Sequence, residues 1–356
     1  MNIEKEKVVL GMSGGVDSSV AAYLLQKQGY EVVGFFMNAN PSGNSKMIMS
    51  ISWSEEEKMV RKICDRLGIE LHVVDCSKGY ETKVLGSMFK DYRRGLTPNP
   101  DTLCNKIGKF PKMLELAKKV GAKFISTGHY VRVKDGNLFR GKDENKDQSY
   151  FLIDLKQNVL KKCLFPIGEL TKDEVRKFAK KIDFPNWDKR SSRGICYLGK
   201  IDMKKLLKIN IEEKLGKVFD VDGNVIGVHP GIMFFTIGER IGDKKGFKIE
   251  KKFLGKKLYV AEKLKGNKLV VAPEGHLALK RKFVFIKGFH WIGEEVRTGL
   301  KARIRHLGEL YNGKLKKLQN KWTFEFSAGV EGVAAGQGIV LYSGERLVGG
   351  GEIRLE

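Results

Sequence analysis

The 356-residue sequence has five cysteines, Cys64, Cys76, Cys104, Cys163 and Cys196, but no C-x-x-C pair. That spacing excludes a zinc ribbon, a thioredoxin-like site and most iron-sulfur arrangements, and points to a reducing compartment with one or two reactive thiols. No apolar run is long enough to span a bilayer, and Met1-Asn2-Ile3-Glu4-Lys5-Glu6 lacks the apolar core of a secretion signal, so a cytoplasmic protein without a membrane partner is expected. Acid is scarce as well. Forty-two Asp and Glu face 66 Lys and Arg, giving a net charge of +24 and a pI near 9.7. Such an excess favours a polyanionic partner, and without a basic amphipathic terminus nucleic acid leads over an acidic membrane surface. The plain alternative is a lysine-rich organism whose proteins are all basic. A hydrophobic content of 42% and a mean hydropathy of −0.30 describe a globular chain with room for two or three domains.

What is present starts with a glycine-rich turn. The apolar run Val8-Val9-Leu10 leads into Gly11-Met12-Ser13-Gly14-Gly15-Val16-Asp17-Ser18-Ser19, and apolar residues then return with helical spacing through Leu25. In that strand, loop and helix, backbone amides at Gly14 and Gly15, the hydroxyls of Ser13, Ser18 and Ser19, and the positive end of the helix make a phosphate pocket. The lysine of the common phosphate loop, G-x-x-x-x-G-K-[ST], is missing, which suits a loop that holds pyrophosphate as a unit. Asp17 is the expected support for Mg²⁺. Gly194 to Ile201 imitates the lysine-containing loop but ends in Ile201 where a hydroxyl is required, and reads as coincidence. The motif S-G-G-x-D-S resembles the signature of the ATP pyrophosphatase superfamily, whose members cleave ATP between the α and β phosphates and adenylate a substrate oxygen.

Further on, strands over Glu31 to Met37, Ile69 to Asp75 and Lys123 to Tyr130 alternate with helices, which implies an α/β domain with a doubly wound parallel sheet. Ligands in such sheets sit at the carboxyl ends of the strands, where the glycine-rich loop, Met37 and Gly128-His129 fall. His72 reads as a core or edge residue, and Asn38 to Trp53 as a mobile loop at the rim of the nucleotide site. In Thr97-Pro98-Asn99-Pro100-Asp101-Thr102-Leu103-Cys104-Asn105-Lys106, the thiol of Cys104 is expected at the N-terminus of a helix running from Asn105 to Val120. Lys106 beside it would favour the thiolate, and Asp101 is placed to accept or donate a proton. A small buried thiol at a turn is an equally good reading of Cys104.

Asp135-Gly136 signals a hairpin, Asn145 to Phe151 the opening of a helix, and Thr171 to Glu174 a capping box. Cys196 lies among small residues and two arginines in Arg190 to Tyr197, whereas Cys64 and Cys163 read as core. From Asp202 the rhythm changes to short β-type runs, so two small β domains are expected, the last a β-barrel. The expected division is 1–201, 202–277 and 278–356. Alternation over Lys301 to Arg305 places Lys301, Arg303 and Arg305 on one strand face, a track for a phosphate backbone or simply a solvated basic face.

Taken together, Ser13 to Ser19, Thr97 to Asp101 with Cys104-Asn105-Lys106, Gly128-His129-Tyr130, Asn145 to Phe151, Gly194-Ile195-Cys196 and Gly349-Gly350-Gly351 resemble the tRNA-specific 2-thiouridylase family, in the family's order and over nearly the whole chain. The resemblance implies an adenine nucleotide alpha hydrolase-like catalytic domain and ATP-dependent replacement of the wobble uridine C2 oxygen by sulfur, with AMP and pyrophosphate released. It implies that Gly11, Met12, Ser13, Gly14, Gly15, Val16, Asp17, Ser18, Met37 and Gly128 bind ATP, and that Asn99, Pro100 and Asp101 meet the target base. Cys196 would carry sulfur as a persulfide, Cys104 would be its partner thiol in a transient disulfide, and Asp101 would be acid or base. Lys146, Asp147, Gln148, Arg303 and Ile304 would contact tRNA, although Ile304 stands where the family has an aromatic residue. ATP and Mg²⁺ are the implied cofactors, without zinc or an iron-sulfur cluster. The partners are tRNA and a persulfide sulfur donor, with a monomer acting on tRNA. Another adenylating synthetase of the amidotransferase type, which would need neither both thiols nor basic β domains, and a non-catalytic RNA-binding protein are the alternatives.

Overall fold

The computed structural model describes residues 5–39, 53–189, 202–242, 246–253 and 255–356; Cys196, the segment 190–201 around it and most of the loop between Asn38 and Trp53 lie outside the described residues. Val8, Val9 and Leu10 are fully buried at the centre of β1 (Lys7–Met12), as expected of a strand covered by helices on both faces. Around it run β2 (Glu31–Asn38), β3 (Glu70–Asp75), β4 (Phe124–Thr127) and, after a hairpin of β5 (Val131–Lys134) and β6 (Asn137–Arg140), the short β7 (Cys163–Leu164). The sheet has the order β3-β2-β1-β4-β7 and all its pairs are parallel. Winding reverses between β1 and β4, which opens a crevice at their carboxyl ends. Helix α1 (Val16–Lys27) follows β1 directly, and α2 (Trp53–Leu67) precedes β3. His72 lies on β3, an edge strand.

A second sheet has the order β10-β9-β8-β12-β11, built from β8 (Gly216–Phe219), β9 (Val225–His229), β10 (Lys248–Ile249), β11 (Leu258–Leu264) and β12 (Lys268–Pro273). The chain then forms β13 (Lys280–Trp291), β14 (Leu300–Arg303), β15 (Tyr311–Leu318), β16 (Lys321–Glu331), β17 (Gly338–Ser343) and β18 (Arg346–Arg354). Pairing of β13 with β18 closes these six antiparallel strands into the expected barrel.

The hairpin β5–β6 turns at Asp135 and Gly136, both at positive φ, and leaves the parallel sheet to pair with β18. The barrel and the parallel-sheet domain therefore share a sheet edge. Alternation along β17 serves both: Ile339 and Leu341 point into the barrel core, while Val340 and Tyr342 pack with the core of the parallel-sheet domain.

Three local expectations are corrected. The helix carrying Cys104 starts earlier, at Pro100, because Asn99 caps it. Asn145 to Phe151 opens only a single 3₁₀ turn, Ser149–Leu152, since Asp147 turns inward. Arg303 does not share an exposed face with Lys301, because β14 ends at Arg303 and that side chain is buried.

Candidate active site

Gly14 adopts a left-handed φ of 72° and Gly15 is the N-cap of α1, so the loop folds back over the start of its helix. The Ser18 and Ser19 hydroxyls donate to the Gly15 carbonyl at 3.0 and 3.2 Å, and the Ser13 amide donates to Ser18 Oγ at 3.3 Å. Met12, Val16 and Ser18 are buried beneath the loop, with Ser13 exposed at its crest. Gly128, just past β4, closes the other side: a Cβ there would stand 2.8 Å from the Ser18 amide nitrogen. Loop amides, serine hydroxyls and a helix N-terminus thus converge at the crevice. Next to Gly128, His129 is half-buried, with Nδ1 2.6 Å from the Thr127 hydroxyl, and loss of solvent around the ring together with the nearby Lys109 charge holds its pKa well below the usual value.

The loop has no lysine of its own, yet two reach it from elsewhere. Lys172 Nζ lies 2.6 Å from Asp17 Oδ1, and the Tyr130 hydroxyl donates to the same oxygen at 2.7 Å. Burial lowers the Lys172 pKa and Asp17 opposes that shift, while burial and the Asp17 charge raise that of the Tyr130 phenol. At the far side, Lys189 Nζ contacts both carboxylate oxygens of Glu56 at 2.6 and 2.8 Å and the Gly14 carbonyl at 3.4 Å. The Asn186 amide donates to Gly14 O and to Ser19 Oγ, both at 3.0 Å. Sequence reasoning missed all five of these supports, Tyr130, Lys172, Asn186, Lys189 and Glu56. Two signals lay near them without assigning a role at the loop: the motif Gly128-His129-Tyr130, and the capping box at Thr171, which fixes the helix start from which Lys172 projects.

Among the described residues no three His, Cys, Asp or Glu side chains gather into a metal site. Asp17, expected to support Mg²⁺, already gives one oxygen to Lys172 and Tyr130. The residues fit Mg²⁺ only as that ion usually meets nucleotide enzymes, held mainly by substrate phosphates with one protein carboxylate.

Asn99 Oδ1 accepts from the Asp101 and Thr102 amides at 3.0 and 3.2 Å, and Pro100 occupies the first helical position. Helix Pro100–Leu103 continues through a π-type turn, Cys104–Lys109, into helix Phe110–Val120. Cys104 is buried one turn inside this run rather than at its N-terminus, and Lys106 points to Asp154 at 3.0 Å. Gly108 separates Cys104 from Met37: a Cβ on it would meet Cys104 Sγ at 3.6 Å and Met37 Cε at 3.9 Å. The fold therefore brings Met37, from the end of β2, beside Cys104. Cys64 and Cys163 are core thiols whose pKa values burial pushes up to about 11 and about 12, and Cys76 is likewise buried and raised.

The remaining expected residues form a junction. Asp147 is fully buried, its Oδ2 2.6 Å from Arg303 Nη1, and its Oδ1 accepts from the Gly141 and Ser149 amides. Arg303 and Ile304 are buried with it, so these three side chains face the joint between domains rather than the surface. The Gln148 side-chain oxygen accepts from the Tyr130 amide at 3.0 Å, and Lys146 is half-buried. Ser149 hydrogen-bonds the Tyr342 hydroxyl at 2.9 Å, Tyr150 donates to Gly338 O at 3.0 Å, and Phe151 packs against His306 with the rings tilted by 35° and their centres 4.2 Å apart. Burial lowers the His306 pKa to about 4, which keeps that ring contact uncharged.

A family profile described as the tRNA methyl transferase HUP domain matches residues 6–200. Profiles described as the tRNA methyl transferase PRC-barrel domain and the aminomethyltransferase beta-barrel domain match 204–273 and 281–353. The chain is 39% identical to tRNA-specific 2-thiouridylase MnmA 1 of Geobacillus kaustophilus (strain HTA426), over 98% of its own length and 95% of that protein. With tRNA-specific 2-thiouridylase MnmA of Malacoplasma penetrans (strain HF-2) it shares 40% identity over 98% of each. Among solved structures, NMN synthetase from Francisella tularensis aligns at 19% identity and a TM-score of 0.35 over 54% of this chain and 68% of that one, too slight a likeness to carry weight.

Proposed function

Since the chain belongs to the tRNA-specific 2-thiouridylase family, we infer that it replaces the C2 oxygen of a tRNA uridine with sulfur, using ATP. The observation that carries this reading is the lysine-free glycine-serine loop at the carboxyl ends of β1 and β4, in the same domain as the thiol of Cys104. Such a loop suits phosphate groups, and the full-length relatives decide the assignment over the methyl-transfer wording of the domain profiles.

A carbonyl oxygen is a poor leaving group. In the proposed mechanism, C2–O of the wobble uridine attacks the α-phosphorus of ATP and expels pyrophosphate. Gly11, Met12, Ser13, Gly14, Gly15, Val16, Asp17, Ser18 and Gly128 hold the nucleotide, and Met37 borders it. Asp17 is the residue that would hold Mg²⁺, which when bound would neutralise phosphate charge. The terminal sulfur of a Cys196 persulfide then forms the C2–S bond as the C2–O bond breaks and AMP leaves. The Cys104 thiolate then attacks the Cys196 sulfur, forming the Cys104–Cys196 disulfide as the bond between Cys196 and the transferred sulfur breaks and leaves its electron pair on the sulfur now bound to C2; an external dithiol reduces the disulfide with two electrons. Asp101, in the first turn of the Asn99-capped helix, moves the proton, and Asn99 and Pro100 set the floor under the base. Lys146 and Gln148 are the tRNA contacts that the geometry leaves accessible, held in place by Asp147 and Arg303 from below. The persulfide comes from a separate donor, the protein works in the cytoplasm as a monomer on tRNA, and its domains divide at 1–201, 202–277 and 278–356.

The test combines purified protein, ATP with Mg²⁺, a persulfide donor and unmodified tRNA, followed by nucleoside mass spectrometry. The expected product is 2-thiouridine at the wobble position, lost in Cys104→Ser and Cys196→Ser while pyrophosphate release continues. Pyrophosphate without any thiolated nucleoside from the unaltered protein would assign the site to a different adenylated substrate.

A further inference from the structure

The barrel keeps its inward side chains apolar until one open end. On β15 and β16, Leu315 opposes Phe324 in the barrel core, and the next inward pair toward the turn is Lys317 opposite Trp322. That register is fixed by the two-residue turn Gln319-Asn320, both at positive φ. The Lys317 ammonium lies over the indole, 4.9 Å from its ring centre. Phe289 and Trp291 pack on Trp322 with ring centres 4.7 and 6.3 Å away, so the indole is held in place. It lines a cavity of about 340 Å³ whose other walls are Glu295, Arg297, Leu315, Lys316 and Lys317. Both the size and the position, at a barrel mouth, are those of a small-ligand site. The rim is basic: from Lys314 to Lys321 the hairpin carries four lysines and no acid. Glu325 meets Lys316 at 2.7 Å and Glu295 meets Arg297 at 3.0 Å, but these side chains are 42 to 74% exposed, and pairs so exposed hold their cations weakly.

Resting on the reading of the substrate as tRNA, we propose that this barrel mouth is a separate binding site for one unpaired nucleotide of the RNA. The base stacks on the Trp322 indole, and the phosphates on either side of it meet Lys316, Lys317 and Arg297. Lys317 holds the ring face while the site is free and moves onto a phosphate when the base takes its place. Stacking asks only for a π-face, so the site is indifferent to which base enters. It also stands apart from the junction at Arg303. Tyr311 pairs with Ala302, next to Arg303, and Lys317 lies six residues further along β15, roughly 20 Å away. The nucleotide held here is therefore a different one from the uridine being modified.

Fluorescence anisotropy of the full-length protein with a labelled hexacytidylate RNA tests this, since that probe offers neither a uridine to the reaction nor an adenosine to the ATP site. Trp322→Leu is expected to weaken binding by about 5- to 100-fold, as for one lost base stack, and Trp322→Phe to recover most of it. Equal losses in the two variants, or none in Trp322→Leu, would overturn the proposal. Should Trp322→Leu not fold, the exposed pair decides: Lys316→Gln with Lys317→Gln should weaken the probe and reduce the steepness of its salt dependence by about one unit in log Kd against log salt. The pair Lys177→Gln with Lys181→Gln, exposed on the helix Lys172–Lys181, should change affinity less than twofold. An equal loss in both lysine pairs would trace the effect to overall charge and refute the site, as would no loss in the first. An unaltered protein that binds neither tRNA nor the probe sinks the tRNA reading itself, whereas one that binds tRNA but not the probe sinks only the barrel site.

Discussion

Lys263 shows how a single side chain couples two domains to pH. From β11 it donates to the Gly95 carbonyl at 2.8 Å, just beyond the helix Gly86–Arg93, and burial lowers its pKa to about 7. The unfolded chain binds this proton up to about pH 10.4 and the folded chain only below about 7, so the penalty is full below 7 and fades as pH rises between the two. Urea denaturation at pH 7 and pH 9.5, at fixed ionic strength, should show stability rising with pH, and Lys263→Met should flatten that rise. A rise of equal size in the variant would place its origin elsewhere. At this scale the sequence was legible wherever neighbours in the chain are neighbours in space. Ser13, Ser18 and Ser19 were readable as one pocket because four to five residues of loop bring them together. Lys172 and Lys189 were not, because each meets its partner across 155 or 133 residues, and no local pattern records which long-range pair forms. Arg303 misled for the same reason, since an arginine on an alternating strand looks solvated until its buried aspartate is known.

Elements were easier to read than their ends. The strand, loop and helix of Lys7 to Lys27 follow from apolar periodicity, and so does the Thr171 capping box. The start of the Cys104 helix was misplaced by five residues' worth of weak signal: Asn99 followed by Pro100 is a cap and first position, but the preceding proline makes the stretch look like a stiff loop. Strand β15 escaped notice because its lysines hide the alternation of Tyr311, Gly313 and Leu315. Asn99→Ala should cost about 1 kcal/mol of stability, typical of a lost cap, and should slow thiolation more than pyrophosphate release, because the turn that carries Asp101 and Cys104 loosens. Thermal melts and parallel product assays separate the two effects. Gly128→Ala places a methyl group against the backbone of α1. Because that backbone must shift, its expected signature is a rise in KM for ATP together with a loss of about 1–3 kcal/mol of stability, and an unchanged KM would remove Gly128 from the nucleotide site.

At the scale of the whole molecule, the barrel meets the catalytic domain at a joint where Asp147 contacts Arg303, Ser149 contacts Tyr342 and β6 pairs with β18. Arg303→Met leaves a buried carboxylate without its cation and should cost about 3–5 kcal/mol, whereas Asp147→Leu combined with Arg303→Met should recover part of that loss. Calorimetry should show one unfolding transition for the unaltered protein and two for Arg303→Met, as barrel and catalytic domain separate; a single transition shifted as a unit would mean that strand pairing alone couples them. The same joint governs how the protein can be made. Leu138 pairs with Leu347, so a hairpin finished early in translation waits for a strand that leaves the ribosome roughly 200 residues later, about 10 to 40 s at ordinary synthesis rates. Through that interval the nascent chain carries an open β edge beside half-formed apolar surface, an invitation to mispairing between ribosomes on one message. Chaperone demand and yield on expression should therefore depend on how fast the last 80 or so codons are read, more than on anything in the catalytic domain.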